Sequence, residues 1–164
     1  FKANNNLLSV FQKLPPMKIF WIRVVLGNIY LKKADISKAE QILSQAILEG
    51  DEFLGRNNKM YLQARAHQLL GGVYETKKDF QKSLKEYLLA EQIYNHVFTV
   101  KEFNDLSSLY TNIAAIYLHL CEFERAKAYL RLQCQNFGIS HSNSQKLIQL
   151  FKEKGYPLYF SELQ

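Results

Sequence analysis

The sequence predicts an all-α protein built as a solenoid of antiparallel helix pairs, and three observations carry that prediction. A short pattern recurs as Leu26-Gly27 with Tyr30, Leu70-Gly71 with Tyr74, and Ile113-Ala114 with Tyr117. A second pattern follows each in step: Ile36, Ala39, Leu43, Ala46; then Phe80, Ser83, Tyr87, Ala90; then Phe123, Ala126, Leu130, Gln133. Both patterns repeat at steps of 44 and then 43 residues, so the chain contains a duplicated structural unit. Finally, 48% of the 164 residues are hydrophobic and only three are proline, a composition that suits packed helices rather than a disordered chain.

The spacing has a direct physical reading. The first pattern lies at i, i+1 and i+4, one stripe of a helix, and the second at i, i+3, i+7 and i+10, one stripe of another. The few residues between Tyr30 and Ile36 leave room only for a turn, so the two helices run antiparallel. Gly27, Gly71 and Ala114 are small where the pair crosses most closely, and Ala39, Ser83 and Ala126 match them on the other helix. The tyrosines supply large area to fill the space towards the next pair. A lone pair cannot bury such a stripe, whereas stacked pairs can.

Taken in order, residues 1–19 are predicted to form an N-terminal cap, with a short amphipathic helix over 5–14 that points Leu7, Leu8, Phe11 and Leu14 inward. Pro15-Pro16 ends it and opens the next helix, from about Met17 to Lys33. Unit one, 20–63, continues with a helix capped by Asp35, with Ser37 and Glu40 spaced as a capping box, and reaches roughly Glu52. Gly55-Arg56-Asn57-Asn58 is the link onward. Unit two, 64–106, has helices near 58–77 and 80–98 with Asp79 as the matching cap. Unit three, 107–140, has helices near 102–120 and 123–136, with Glu122 in the cap position. Residues 141–164 are expected to form a C-terminal capping element: a helix from about Gln145 to Lys154, Gly155 as its stop, and Pro157 in the first turn of a further segment. A step of 43 from Ala114 lands on Pro157, which speaks against a fourth unit in that register.

The charge balance excludes more than it suggests. The net charge is +6, but residues 1–19 alone carry Lys2, Lys13 and Lys18 with no acid, and the repeats are close to neutral. Phosphate binding needs clustered cations, so nucleic-acid contact is expected, if anywhere, only at the basic N-terminal segment. No apolar run approaches the roughly 18–20 residues of a membrane span, so no membrane partner is expected. The start at Phe1, without Met or a signal-peptide layout, reads as a cut or processed end. Cys121 and Cys134 fit neither a metal spacing nor a disulfide framework, which points to free thiols in a reducing cytoplasm. His67, His96, His119 and His141 lack ligand spacing, and no phosphate-loop or dinucleotide signature is present. The expectation is a binding protein, not an enzyme, with no cofactor and no metal.

At this point the chain resembles the tetratricopeptide repeat family, through the three Leu-Gly-x-x-Tyr-like motifs and the later small-residue spacing over about residues 20–135. It departs where the family has an early Trp, replaced by Arg23, His67 and Tyr110, and in units longer than the family's usual 34 residues. Units of this length resemble those of kinesin light chains and of sensor domains in bacterial transcription regulators. The resemblance implies a right-handed superhelical solenoid whose first helices line a concave groove for a protein or an extended peptide. It places Trp21, Val24, Val25, Asn28, Leu31 and Lys32 on the groove side of unit one. Unit two contributes Arg65, Gln68, Leu69, Gly72, Glu75 and Thr76, and unit three Ser108, Thr111, Asn112, Ala115, Leu118 and His119. Asn28, Gln68 and Asn112 can each donate and accept, which suits a peptide backbone. The lysine-and-asparagine clamp with which some members hold acidic chaperone tails is matched only at Asn28. The implied role is a cytoplasmic interaction module, in its narrower form the sensor part of a larger bacterial regulator. The competing readings are a scaffold that self-associates through its terminal faces, as a homo-oligomer, and nucleic-acid contact through the N-terminal segment.

Overall fold

A computed structural model describes residues 14–53, 60–97, 104–156 and 158. The amphipathic helix expected over 5–14 therefore lies almost wholly outside the described residues, as do the Gly55–Asn58 link and Pro157. Among the described residues there are seven helices and no strand: α1 Pro16–Lys32, α2 Ile36–Phe53, α3 Met60–Thr76, α4 Phe80–Val97, α5 Asn104–His119, α6 Phe123–Phe137 and α7 Ser142–Glu153. Each odd helix packs most extensively on the even helix that follows it, giving the pairs α1/α2, α3/α4 and α5/α6. Successive pairs then stack through α2 on α3 and α4 on α5. The chain is an all-α solenoid of helix pairs.

The close crossing inside a pair follows from the small residues. A β-carbon on Gly71 would stand 2.5 Å from the Tyr87 ring, and one on Gly27 would stand 2.5 Å from Leu43. Tyr87 and Leu43 are almost completely buried, so the large side chain of the second helix occupies the space the first helix leaves empty. At the same crossing the Ser83 hydroxyl donates to the Gly71 carbonyl at 2.9 Å, a contact that only close backbone approach permits. Arg23, His67 and Tyr110, at matching positions of the three units, also reach across their pair: Arg23 to Glu49, His67 Nδ1 to Glu86 at 2.7 Å, and the Tyr110 ring to Tyr129.

The turns inside the pairs repeat as faithfully as the helices. Ala34, Lys78 and Cys121 all take positive φ near 60°, in the left-handed region. In each turn this residue's N–H bonds back three residues, to Leu31, Glu75 and Leu118. The next N–H, of Asp35, Asp79 or Glu122, bonds the carbonyl of Tyr30, Tyr74 or Tyr117 at 2.8–3.0 Å. This is the Schellman arrangement that closes helix C-termini. The same acidic residue opens the next helix. Asp35 and Asp79 accept from the N–H of Lys38 and Lys82, as caps should. Glu122 makes no such bond; it pairs with Arg125 at 2.7 Å and does not cap. Glu40, expected in a capping box, instead accepts from Lys77 of the following pair at 2.8 Å.

One departure changes the architecture. α7 packs on both α5 and α6, as α3 packs on both α1 and α2. It covers the end of the third pair, and it does so in the place of a fourth first helix. Its end carries the same turn: Gly155 has φ 76°, Gly155 N–H bonds Lys152 at 2.9 Å, and Tyr156 N–H bonds Phe151 at 3.0 Å. Gly155 follows Cys121 by 34 residues, so Leu147 and Phe151 stand where Ile113 and Tyr117 stood. Both are almost fully buried, at 0% and 1%. The sequence step of 43 missed this register because the sixth helix and its link are shorter. α7 also starts at Ser142 rather than near Gln145, because the His141 ring accepts from the Asn143 N–H at 3.2 Å and caps it. A buried polar node fastens it, with the Ser107 hydroxyl accepting from Gln133 at 2.8 Å and from Asn143 at 3.0 Å.

Two stability experiments follow. Gly71→Ala should cost about 1–3 kcal/mol by overpacking against Tyr87. Gly72→Ala, whose β-carbon would meet Leu31 at an ordinary 3.4 Å, should be neutral or gain up to about 1 kcal/mol of helix propensity. Denaturant midpoints that move equally would reject this account of the crossing. Lys78→Gly should raise stability by up to about 1 kcal/mol, since the left-handed conformation costs a residue with a β-carbon roughly 1–2 kcal/mol and glycine regains freedom on unfolding. A lower midpoint would contradict the turn.

Candidate functional site

The first helices α1 and α3 pack on each other, as do α5 and α7. Between the first two, Trp21, Val24, Val25 and Asn28 of α1 and Tyr61, Leu62, Arg65 and Leu69 of α3 line a cleft. Its character is apolar. Trp21 is 53% exposed and Val25 37%, and Val24 and Leu69 form the floor.

The structure divides the expected groove residues. Trp21, Val25 and Lys32 are exposed, and Asn28 and Leu31 half-buried, as a groove wall requires. Val24, Gln68, Leu69 and Leu118 are buried instead. The reason is the stacking: Val24 is buried in one cluster with Ala66 and Leu69 of the following pair, and an interior first helix has neighbouring pairs before and after it, so only a narrow strip stays open. Leu69 joins the core with Val24, Ala66 and Val73. Gln68 is 4% exposed, and both ends of its amide are engaged within the fold. It donates to the Asp105 backbone carbonyl at 3.3 Å and accepts from Arg65 at 3.0 Å and from Tyr94 at 3.3 Å. It therefore cannot hold a peptide backbone.

Arg65, expected as a free groove cation, is also committed. Its guanidinium reaches Asp105 at 3.1 Å, and the Tyr61 hydroxyl donates to the same carboxylate. Burial, together with that bond to Asp105, pushes the Tyr61 phenol up to about 12. The network ties α3 to the first turn of α5. Asp105 was no part of the sequence reading, since no repeat step places it against Arg65 or Tyr61.

Further along, Ser108, Thr111 and Asn112 are half-buried on α5. The Thr111 hydroxyl donates to the Ser107 carbonyl at 3.0 Å, and the Tyr87 hydroxyl donates to Glu75 at 2.7 Å close to Gly72. A second, shallow cleft lies between α5 and α7, lined by Thr111, Ser142, Gln145, Lys146, Gln149 and Glu153 with Leu147 and Leu150 below. These α7 residues follow the α5 groove positions by 34. The sequence reading left them out, although Leu147 and Phe151 carried the register.

Comparison with solved structures fits this architecture. The chain is similar to BtubC (BKLC) from P. vanneervenii, known from its crystal structure, with a TM-score of 0.66. Sequence identity is 21% over 85% of this chain, a level at which the likeness concerns the fold alone. This chain spans 56% of BtubC. No family model and no curated protein matches the sequence. Among the described residues no cluster of His, Cys, Asp and Glu is placed to hold a metal ion. No described helix is long and apolar enough to cross a membrane.

The site yields a clean contrast. Asp105→Ala should lower stability by about 1–3 kcal/mol, because Arg65 and Tyr61 lose a charged hydrogen-bond partner. Trp21→Ala should change it by no more than about 0.5 kcal/mol, as exposed substitutions usually do. Chemical denaturation of both variants checks the assignment, and a large loss for Trp21→Ala would make Trp21 a packing residue.

Proposed function

We propose that the chain is a protein- or peptide-binding module of the tetratricopeptide-repeat type. Its partner lies across α1, α3, α5 and α7 as an extended segment. The observation that carries this reading is the apolar cleft between α1 and α3, where a half-exposed Trp21 stands beside Val25 and Asn28. An indole kept in water is costly unless something covers it, and Trp is the residue most enriched at binding hot spots. Repeat length supports a narrower form, in which the module works in the cytoplasm as the sensor or interaction part of a larger bacterial regulator. Nothing in the groove calls for catalysis.

Corrected for burial, the contact set is Trp21, Val25, Asn28 and Lys32 on α1, Ser108, Thr111 and Asn112 on α5, and the exposed face of α7. Gln68, Leu69 and Arg65 support this surface from within.

Titration of a purified partner segment tests the proposal. Trp21→Ala should weaken binding by tenfold or more, the scale of a hot-spot residue, and Asn28→Ala by a smaller factor. Gln41→Ala on α2 and Lys85→Ala on α4, both exposed on second helices, should leave affinity unchanged. Equal affinity for all four variants would place the site elsewhere.

A further inference from the structure

Matching positions of the first helices show which flank meets the preceding pair. In α3, Ala66, Leu69 and Val73 are 0–7% exposed and share one apolar cluster with Ala39, Leu43 and Ala46 of α2. Leu109 and Ile116 of α5, 43 residues after Ala66 and Val73, are completely buried, and α5 packs on α4. The step of 44 in the other direction leads from α3 to Ile22, Val25 and Ile29 on α1. These three are also apolar, yet Val25 is 37% exposed, Ile29 40%, and Ile22 only half-buried. Among the described residues no helix precedes α1. The stripe is a stacking face without its partner. It adjoins the α1/α3 cleft at Val25, whereas Trp21, Val24 and Asn28 belong to the cleft side.

We infer that residues 1–14 of this chain cover that face, with Leu7, Leu8, Phe11 and Leu14 packed on Ile22, Val25 and Ile29 in the place of a preceding second helix. Three observations select this occupant. The four apolar residues fall at i, i+1, i+4 and i+7, one stripe of a helix, as a stacking partner requires. Leu14 joins α1 through Pro15 alone, so the segment begins at the edge of the face and holds it at an effective concentration that a separate chain does not match. The lengths also agree. Run back antiparallel from Pro15, a helix over 5–14 is about 15 Å long, which brings Leu7 level with Val25, and the four residues before it reach Ile29. A short link is no obstacle, since α6 and α7 pack on each other across residues 138–141. The consequence is a closed end: an uncovered apolar stacking face invites a second copy.

Disulfide trapping in the full chain tests the placement, in a Cys121→Ser background with Cys134 buried. Leu7→Cys combined with Val25→Cys should close within one chain on mild oxidation, seen as a monomer of altered mobility on a non-reducing gel. Leu7→Cys combined with Leu48→Cys, at an exposed site on α2, should not, because a disulfide needs Cα atoms within about 7 Å. Phe11→Ala and Ile22→Ala should each lower the denaturant midpoint, and the double variant should lose less than the two shifts added together. No partner peptide enters either measurement, so the result is independent of the groove. A bond formed only between chains would seat a second copy on the face and overturn the inference. Failure of the Leu7–Val25 bond to form, or midpoint shifts that simply add, would overturn it as well.

Discussion

Close approach of two helices at Gly71 and Ser83 is the constraint on which the stack depends. The missing side chain at Gly71 admits the Tyr87 ring, and the Ser83 hydroxyl satisfies the Gly71 carbonyl in the same contact. Bulk on either helix would push the pair apart, and the faces that Tyr87 and Leu84 share with the next pair would lose their fit. Gly27 against Leu43 repeats the solution with an aliphatic side chain. In α7 the equivalent position is Ile148, a bulky residue where the other first helices are small. Ile148 packs as a partly buried residue at the edge of the core instead.

The turns act as the second fixed element. A left-handed residue and two backbone bonds set the angle between the helices of a pair, and the following acid starts the second helix. The sequence at these turns is Ala-Asp, Lys-Asp, Cys-Glu and Gly-Tyr, so backbone geometry is repeated where side chains are not. That is why the fourth turn, at Gly155, identifies α7 as a first helix more clearly than any hydrophobic pattern does. Recognising it adds α7 to the series of first helices.

Much of the fold was legible in the sequence because its cause is local. Small residues at 27, 71 and 114, and the stripes that follow them, reflect a crossing that each unit must solve alone. The helix limits agreed closely where Asp35 and Asp79 cap and where proline or glycine interrupts. Glu122 misled because its longer side chain pairs with Arg125 rather than folding back on the backbone. The groove was legible only in part. Trp21 and Asn28 stand open because α1 has one described flank covered, whereas Gln68 and Leu69 sit on an interior helix covered on both.

The sequence by itself determined the unit, its period, the antiparallel pairing and the small-against-large crossing, since these follow from spacing within about forty residues. Tertiary structure decided which side chains of the first helices remain available. Gln68 and Arg65 read as surface groups until Asp105 is brought against them from α5, 40 residues beyond Arg65. It also decided that α7 continues the series, through contacts with α5 and α6 that no fixed period encoded. The physical reason is that exposure belongs to neighbours rather than to a residue. A helical stripe specifies which groups share a face, and only stacking settles whether that face meets water, a partner or the next pair.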